Sequence, residues 1–198
     1  MSINLSAIER FYQAFEDLGA EGIRSLIPPK KISLVDVKKG SSLIQAGDYD
    51  HHLYWVWRGI FKISHYWEDG REHIKAFLPE GRFYMAYSSW LQQTPSEFYV
   101  EAIEPALVVK VDFVLIDQIL DSSIAMNQAW RRYMDQHFLR HEQREMDLLS
   151  RNAQERYERF LKDNASVADR LPLHCIARYI GVTDQSLSRL RKLSKVNK

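Results

Sequence analysis

The chain has 198 residues, 45% of them hydrophobic and 12% aromatic, enough apolar side chain for one large or two modest packed domains, which excludes a wholly disordered chain. No run of about 18 apolar residues occurs, so no membrane span is expected, and the opening MSINLSAIERFYQAF lacks the basic-then-apolar order of a signal peptide. The formal net charge of +1 hides an asymmetry: 16 Lys+Arg less 21 Asp+Glu over 1–150 is −5, and 11 less 5 over 151–198 is +6.

A basic C-terminal module on an acidic body points to a polyanion partner at one end only. The single cysteine, Cys175, excludes an internal disulfide and any all-cysteine zinc or iron–sulfur site built by one chain. It fits a reducing, cytoplasmic compartment.

Residues 5–27 carry Ile8, Phe11, Tyr12, Phe15 and Leu18 on one helical face, and Pro28-Pro29 ends that segment. From 31 to about 110 the pattern changes to short β-runs with turn punctuation. Ile32, Leu34, Val35 and Val37 make one run, and Gly40 and Gly47 bracket the next. LYWVW (53–57) meets Gly59, IFKISHYW (60–67) follows, and Glu68-Asp69-Gly70 signals a hairpin back into 73–79. Glu80-Gly81 makes another turn, and 98–103 with 106–111 reads as a last hairpin around Glu104-Pro105. So many short strands predict a sandwich, roll or barrel and not a βαβ sheet.

After Asp112 the period returns to helical. A short helix is expected over 113–120, and Ser122 or Ser123 caps a longer one running to about 149. Met126, Trp130, Tyr133, His137 and Arg140/His141 recur at spacings of four and three, widened by Ala129, Met134 and Phe138. A stripe this bulky needs the β-body, the same helix of a second chain, or both as its partner surface. His137 and His141 stand four apart but lack the glutamate of an HExxH motif, so no metal site is assigned. Residues 151–170 read as a further helix with Tyr157, Phe160 and Leu161 inward, and a domain boundary is expected near 150–153.

The last segment, PLHCIARYIGVTDQSLSRLRKL (172–193), reads as a helix-turn-helix. Leu173, Ile176, Ala177 and Ile180 share a helical face, and Cys175 is a structural thiol on the same support side. Gly181 permits the turn, Val182 plugs it, and Thr183 caps a second helix that buries Leu187, Leu190 and Leu193. The opposite face shows Gln185, Ser186, Ser188, Arg189, Arg191 and Lys192, the residue types that read base edges and hold phosphates.

A β-body with many glycine turns, one long helix, then a helix-turn-helix: that order resembles the Crp/Fnr family of bacterial transcription regulators over nearly the whole chain. Residues 40–83 look like the family's cyclic-nucleotide-binding-type β-roll, glycine for glycine at Gly40, Gly47, Gly59, Gly70 and Gly81. Pro95-Ser96-Glu97, Glu155-Arg156-Tyr157 and 181–192 are similar to elements of a divergent group common in Bacteroidetes-like bacteria. The resemblance implies an α+β fold. An antiparallel, jelly-roll-like sensor roll covers 1–120, a long dimerisation helix and hinge 121–150, and a DNA-binding domain 151–198.

It further implies a cytoplasmic homodimer on double-stranded DNA, with RNA polymerase and an unidentified small-molecule effector as further partners and no membrane association. The base-reading positions correspond to Asp184, Gln185 and Arg189, with Thr183, Ser186, Ser188, Arg191 and Lys192 as phosphate contacts. Because the chain stops soon after this helix, the family's β-wing is expected to be short or missing.

The nucleotide cassette departs from the family pattern. Where a Gly-Glu pair is required stands the stretch 83–90, FYMAYSSW, and the arginine position falls near Ser96 or Glu97. A carboxylate there repels a phosphate, so cyclic AMP is not expected by the usual mode, and no cofactor is predicted. Phe83, Tyr84, Met85, Tyr87, Ser88 and Tyr99 either fill the space as core or line a site for a more apolar effector. An iron–sulfur sensor lacks its cysteines, and nothing singles out a haem ligand among His51, His52, His65, His73 and Met85. A sensor or scaffold with a vestigial DNA-binding head is the alternative function. No Ser/His/Asp, Cys/His, P-loop or GxGxxG pattern marks an enzyme.

Overall fold

The computed structural model describes residues 2–196, with side chains from 5 to 192. Its contacts divide the chain into two compact units, one of 1–63 with 77–137 and one of 64–76 with 138–198.

The first unit opens with helix α1 (Ser2–Glu16), whose Phe11 and Phe15 are fully buried. The helix expected over 5–27 ends early, because Gly19 and Gly22 adopt left-handed backbone at φ +88° and +79° and let the chain double back. A four-residue helix α2 (Ile23–Leu26) follows, and the Tyr12 hydroxyl donates to the Ile27 carbonyl at 2.6 Å, pinning the turn to α1.

Eight strands succeed it: β1 (Ile32–Val37), β2 (Ser42–Ile44), β3 (His52–Arg58), β4 (Phe61–Tyr66), β5 (Glu72–Leu78), β6 (Phe83–Tyr84), β7 (Tyr99–Ala102) and β8 (Ala106–Asp112). They form two four-stranded sheets, in the orders β1-β8-β3-β6 and β2-β7-β4-β5. Adjacent β4 and β5 confirm the hairpin expected around Gly70. The hairpin expected around Glu104-Pro105 does not form, since β7 pairs with β2 while β8 pairs with β1 and β3. Pro105 has no N–H for a ladder, and Ile103 donates instead to the Ile60 carbonyl at 2.8 Å, so the chain crosses between sheets here.

Gly59 makes that crossing possible. A Cβ placed on it would lie 2.6 Å from the Ala106 Cβ, and its φ is +93°. A short helix α3 (Tyr87–Gln92), which periodicity did not indicate, precedes β7.

Helix α4 (Phe113–Ser122) is capped by Asp112, whose carboxylate accepts from the Val114 amide at 2.9 Å. Helix α5 (Ile124–Ser150) starts at the expected serine, with the Ser123 hydroxyl accepting from the Met126 amide at 3.3 Å. The main core collects Phe11, Phe15, Trp55, Phe83, Phe113, Met126 and Ala129, with Trp130 and Tyr133 packed at its margin. The first part of the α5 stripe is thus covered by the β-body. Further along the helix, Phe138 and Leu149 are 63% and 76% exposed.

The second unit comprises the hairpin residues 64–76, the end of α5, and helices α6 (Ala153–Asp163), α7 (Leu173–Ile180) and α8 (Asp184–Val196). A capping box starts α6: Asn152 accepts from the Glu155 amide at 3.1 Å and Glu155 accepts from the Asn152 amide at 2.9 Å. The helix expected over 151–170 stops at Asp163, where Asn164 closes it by donating to the Phe160 carbonyl, and a 3-10 turn covers Ala168–Arg170. Tyr157 and Phe160 point inward as expected, whereas Leu161 lies on the exposed side. Val167, Leu171, Cys175, Ile176, Ala177, Ile180 and Leu187 are also buried in this unit, while Leu173 at the start of α7 is exposed. The side chain of Leu193 falls outside the described residues.

Candidate nucleic-acid interface and effector region

Two helices joined by a three-residue turn build the candidate interface. Gly181 adopts φ +72° and ψ +44°, and the Val182 amide donates to the Ala177 carbonyl at 3.0 Å, so α7 closes on a left-handed residue. The Thr183 hydroxyl accepts from the Ser186 amide at 3.2 Å and donates to the Ser186 hydroxyl at 3.0 Å. That is the expected cap, and it occupies the Thr183 oxygen. Leu187, almost fully buried, anchors α8 from beneath.

Arg156 on α6 braces the turn from behind, a role sequence reading missed. Its Nε donates to the Ile180 carbonyl at 2.8 Å and a guanidinium nitrogen donates to the Arg151 carbonyl at 2.7 Å. The only local signal was an arginine beside the inward Tyr157.

This anchoring fixes what α8 presents. Gln185, Ser188, Arg189 and Lys192 are all exposed, and their i, i+3, i+4, i+7 spacing makes one stripe along the helix. Thr183 and Asp184 are exposed at its start, where the carboxylate of Asp184 is favoured by the free amides of the first turn. Ser186 and Arg191 are half-buried and flank the stripe. The eight expected residues therefore divide into an outward amide, hydroxyl, guanidinium and ammonium row, a capped start and two flanking groups.

The six residues considered for an effector lie in different surroundings. Phe83 packs against Phe15 and Tyr133 at ring-centroid distances of 4.7 and 5.4 Å, and Met85 belongs to the same core. Tyr87 stacks edge-on to Phe113 and Trp130, at 6.3 and 6.2 Å. Tyr84 pairs in register with Tyr54, whose hydroxyl donates to Asp50 at 2.8 Å. Burial first, then the Asp50 charge, pushes both phenols well above the ordinary tyrosine range, so both stay protonated. Ser88 is exposed on α3 and Tyr99 is half-buried on β7. Ser96, one of the two residues expected near the family arginine, is buried; its hydroxyl donates to the Phe98 carbonyl at 3.0 Å, and its backbone bonds to Asp48 and Gly47, both at 2.8 Å.

His137 and His141 both lie on α5. The ring of His137 stacks on Tyr133 at 6.3 Å. His141 is held below the ordinary histidine range by burial and by the nearby charges of Lys75 and Arg140. Among the described residues no cluster of three or more His, Cys, Asp or Glu side chains is arranged to hold a metal ion, and no helix is long and apolar enough to cross a membrane.

Comparison with known proteins agrees with this architecture. Residues 34–123 match the cyclic nucleotide-binding domain. The fumarate and nitrate reduction regulatory protein of Vibrio cholerae is 25% identical over 165 residues, which cover 78% of this chain and 65% of that protein, so the match spans slightly less than two thirds of the relative. FixK2 from Bradyrhizobium japonicum superposes with a TM-score of 0.72 at 19% identity, over 84% of this chain and 85% of that one. The c-di-GMP-responsive global regulator CLP of Xanthomonas campestris gives 0.70 at 16% identity, over 88% and 90%. A Crp/Fnr-family protein from Eubacterium rectale gives 0.67 at 17% identity, over 89% and 84%. The chain thus contains a cyclic nucleotide-binding domain over 34–123, and along most of its length it shares the fold of these solved structures.

Proposed function

We propose that this chain is a homodimeric, sequence-specific DNA-binding regulator whose sensor does not take cyclic AMP by the usual mode. One observation carries the reading: a capped, braced helix α8 exposes Gln185, Ser188, Arg189 and Lys192 as a single stripe in the basic C-terminal segment of the chain. Arg189 reads guanine through its two-pronged guanidinium and Gln185 pairs with adenine. Lys192, Ser188 and the flanking Ser186 and Arg191 hold phosphates. Thr183 acts chiefly as cap, and Asp184 accepts from a cytosine amino group or steadies the helix start.

The exposed apolar residues of α5, including Phe138, Leu139 and Leu149, support pairing with the same helix of a second copy. Two recognition helices then enter successive major grooves about 34 Å apart on a pseudo-palindrome. In this reading residues 1–120 sense, 121–150 dimerise and hinge, and 151–198 bind DNA in the cytoplasm, with RNA polymerase as the downstream partner. The packed aromatics at the cassette position and the absence of its arginine support a non-standard effector.

The test is capture of sheared genomic DNA by the purified protein, sequenced with and without cyclic AMP. Enrichment of a palindrome in both arms supports the reading. Enrichment only with nucleotide refutes the sensor argument, and none in either arm favours a sensor or scaffold with a vestigial head.

A further inference from the structure

Within the second unit, the turn end of the β4–β5 hairpin meets the head. Glu72, the first residue of β5, forms an ion pair with Arg178 on α7, 106 residues away in sequence. The Tyr66 hydroxyl of β4 donates to the other oxygen of the same carboxylate at 3.2 Å. The Glu72 side chain keeps 2% of its exposure, whereas that of Arg178 keeps 42%. The adjacent strand residues Ser64 and Ile74 are fully buried. Next to Arg178, Tyr179 is held by Arg144 of α5, which donates to its carbonyl and stacks its guanidinium 4.0 Å from the ring centre.

A carboxylate buried this completely is tolerated only when paired. The contact is not part of the fold of the head itself, since α7 packs through Cys175, Ile176, Ala177 and Ile180 while Arg178 stands on its exposed side. Nor does the hairpin need it for its ladder, because the turn is closed by backbone bonds between Trp67, Gly70 and Arg71.

We propose that Glu72 and Arg178 form an electrostatic clasp that restrains the helix-turn-helix against the hairpin, so that moving the head requires the ion pair to open. The pairing links the β4–β5 hairpin to the helix that supports α8. Opening it exposes the Glu72 carboxylate to water and frees a guanidinium on the head. The consequence for DNA rests on the reading of α8 as the DNA-reading helix; the clasp itself does not.

The test is hydrogen–deuterium exchange on the full chain for four proteins: wild type, Glu72→Gln, Arg178→Gln and the double variant. Arg178→Gln removes the charged partner of a buried carboxylate, and exchange of the hairpin amides should rise by about tenfold or more. Glu72→Gln keeps its shape and an acceptor for Tyr66, and should rise by only about threefold. The double variant should fall well below the product of the two singles, the signature of direct coupling. Equal exchange in all four proteins, or strictly multiplicative effects, overturns the clasp.

Affinity for a captured operator gives the second readout. Glu72→Gln should lower the apparent Kd by about threefold, since a restraint has been removed. An unchanged Kd with raised exchange reduces the pair to packing and overturns the restraint. If no protein, wild type included, binds DNA, the DNA-reading head is refuted and the exchange cycle alone decides the clasp.

Discussion

Replacing Gly59 with alanine tests the crossing between the two sheets. The new Cβ would lie 2.6 Å from the Ala106 Cβ, 2.8 Å from the Ala106 Cα and 2.9 Å from the Pro105 carbonyl oxygen. None of these is the end of a flexible side chain, so β8 itself must shift. Overpacking of this kind costs about 1–3 kcal/mol. The φ of +93° adds about 1–2 kcal/mol for any L side chain. Gly47 is a matched control in the same unit, with φ +97° and nothing within 4 Å of the point where a Cβ would stand. Gly47→Ala therefore carries the backbone cost alone, and both variants share the same change in the unfolded chain. Urea unfolding of the two proteins should place Gly59→Ala about 1–3 kcal/mol below Gly47→Ala. Equal losses would refute the close approach of β8 to this glycine and, with it, the account of why 103–106 crosses between sheets.

Arg189→Ala should abolish preference for an operator over random DNA, by about 1–3 kcal/mol of discrimination, while weakening non-specific binding much less; equal loss on both DNAs in a competition assay would remove the base-reading role. Millimolar cyclic AMP should leave Tm unchanged in a thermal melt, and a clear upward shift would show that the nucleotide binds despite the missing arginine. Asn152→Ala should remove one half of the capping box on α6 and lower stability by about 1 kcal/mol, read as a lower denaturant midpoint. Acid should also destabilise the fold. Burial chiefly, then Arg144 and His65, holds His73 below the ordinary histidine range, and His141 is depressed likewise. The unfolded chain takes up these protons more readily, so the stability present above about pH 6.5 is lost as pH falls through the lowered folded values. A plot of Tm against pH should be flatter for the His73→Gln, His141→Gln double variant, and parallel plots would reject the assignment.

The features legible in the sequence were those whose cause is local. Gly181, Thr183 and Leu187 lie within seven residues, and a left-handed turn, a cap and a buried anchor need nothing beyond that span. The turn at Gly70 and the serine that starts α5 were readable for the same reason. Limits of helices were less so: the turn after Glu16 depends on Gly19 and Gly22 both taking left-handed backbone, and the end of α6 on Asn164 closing it. The six aromatic and polar residues around 83–99 could not be sorted into core and surface by pattern, because the packing of α1, α4 and α5 decides which rings are enclosed.

Sequence alone thus determined the order of parts, the basic C-terminal segment and the outward stripe on α8, since composition and helical period act over a few residues. Only the tertiary structure decided that β7 and β8 part into separate sheets, that Arg156 braces the turn and that Glu72 meets Arg178. Each of these depends on residues far apart in the chain, whose pairing follows from which surfaces bury one another and carries no signal in the neighbouring sequence.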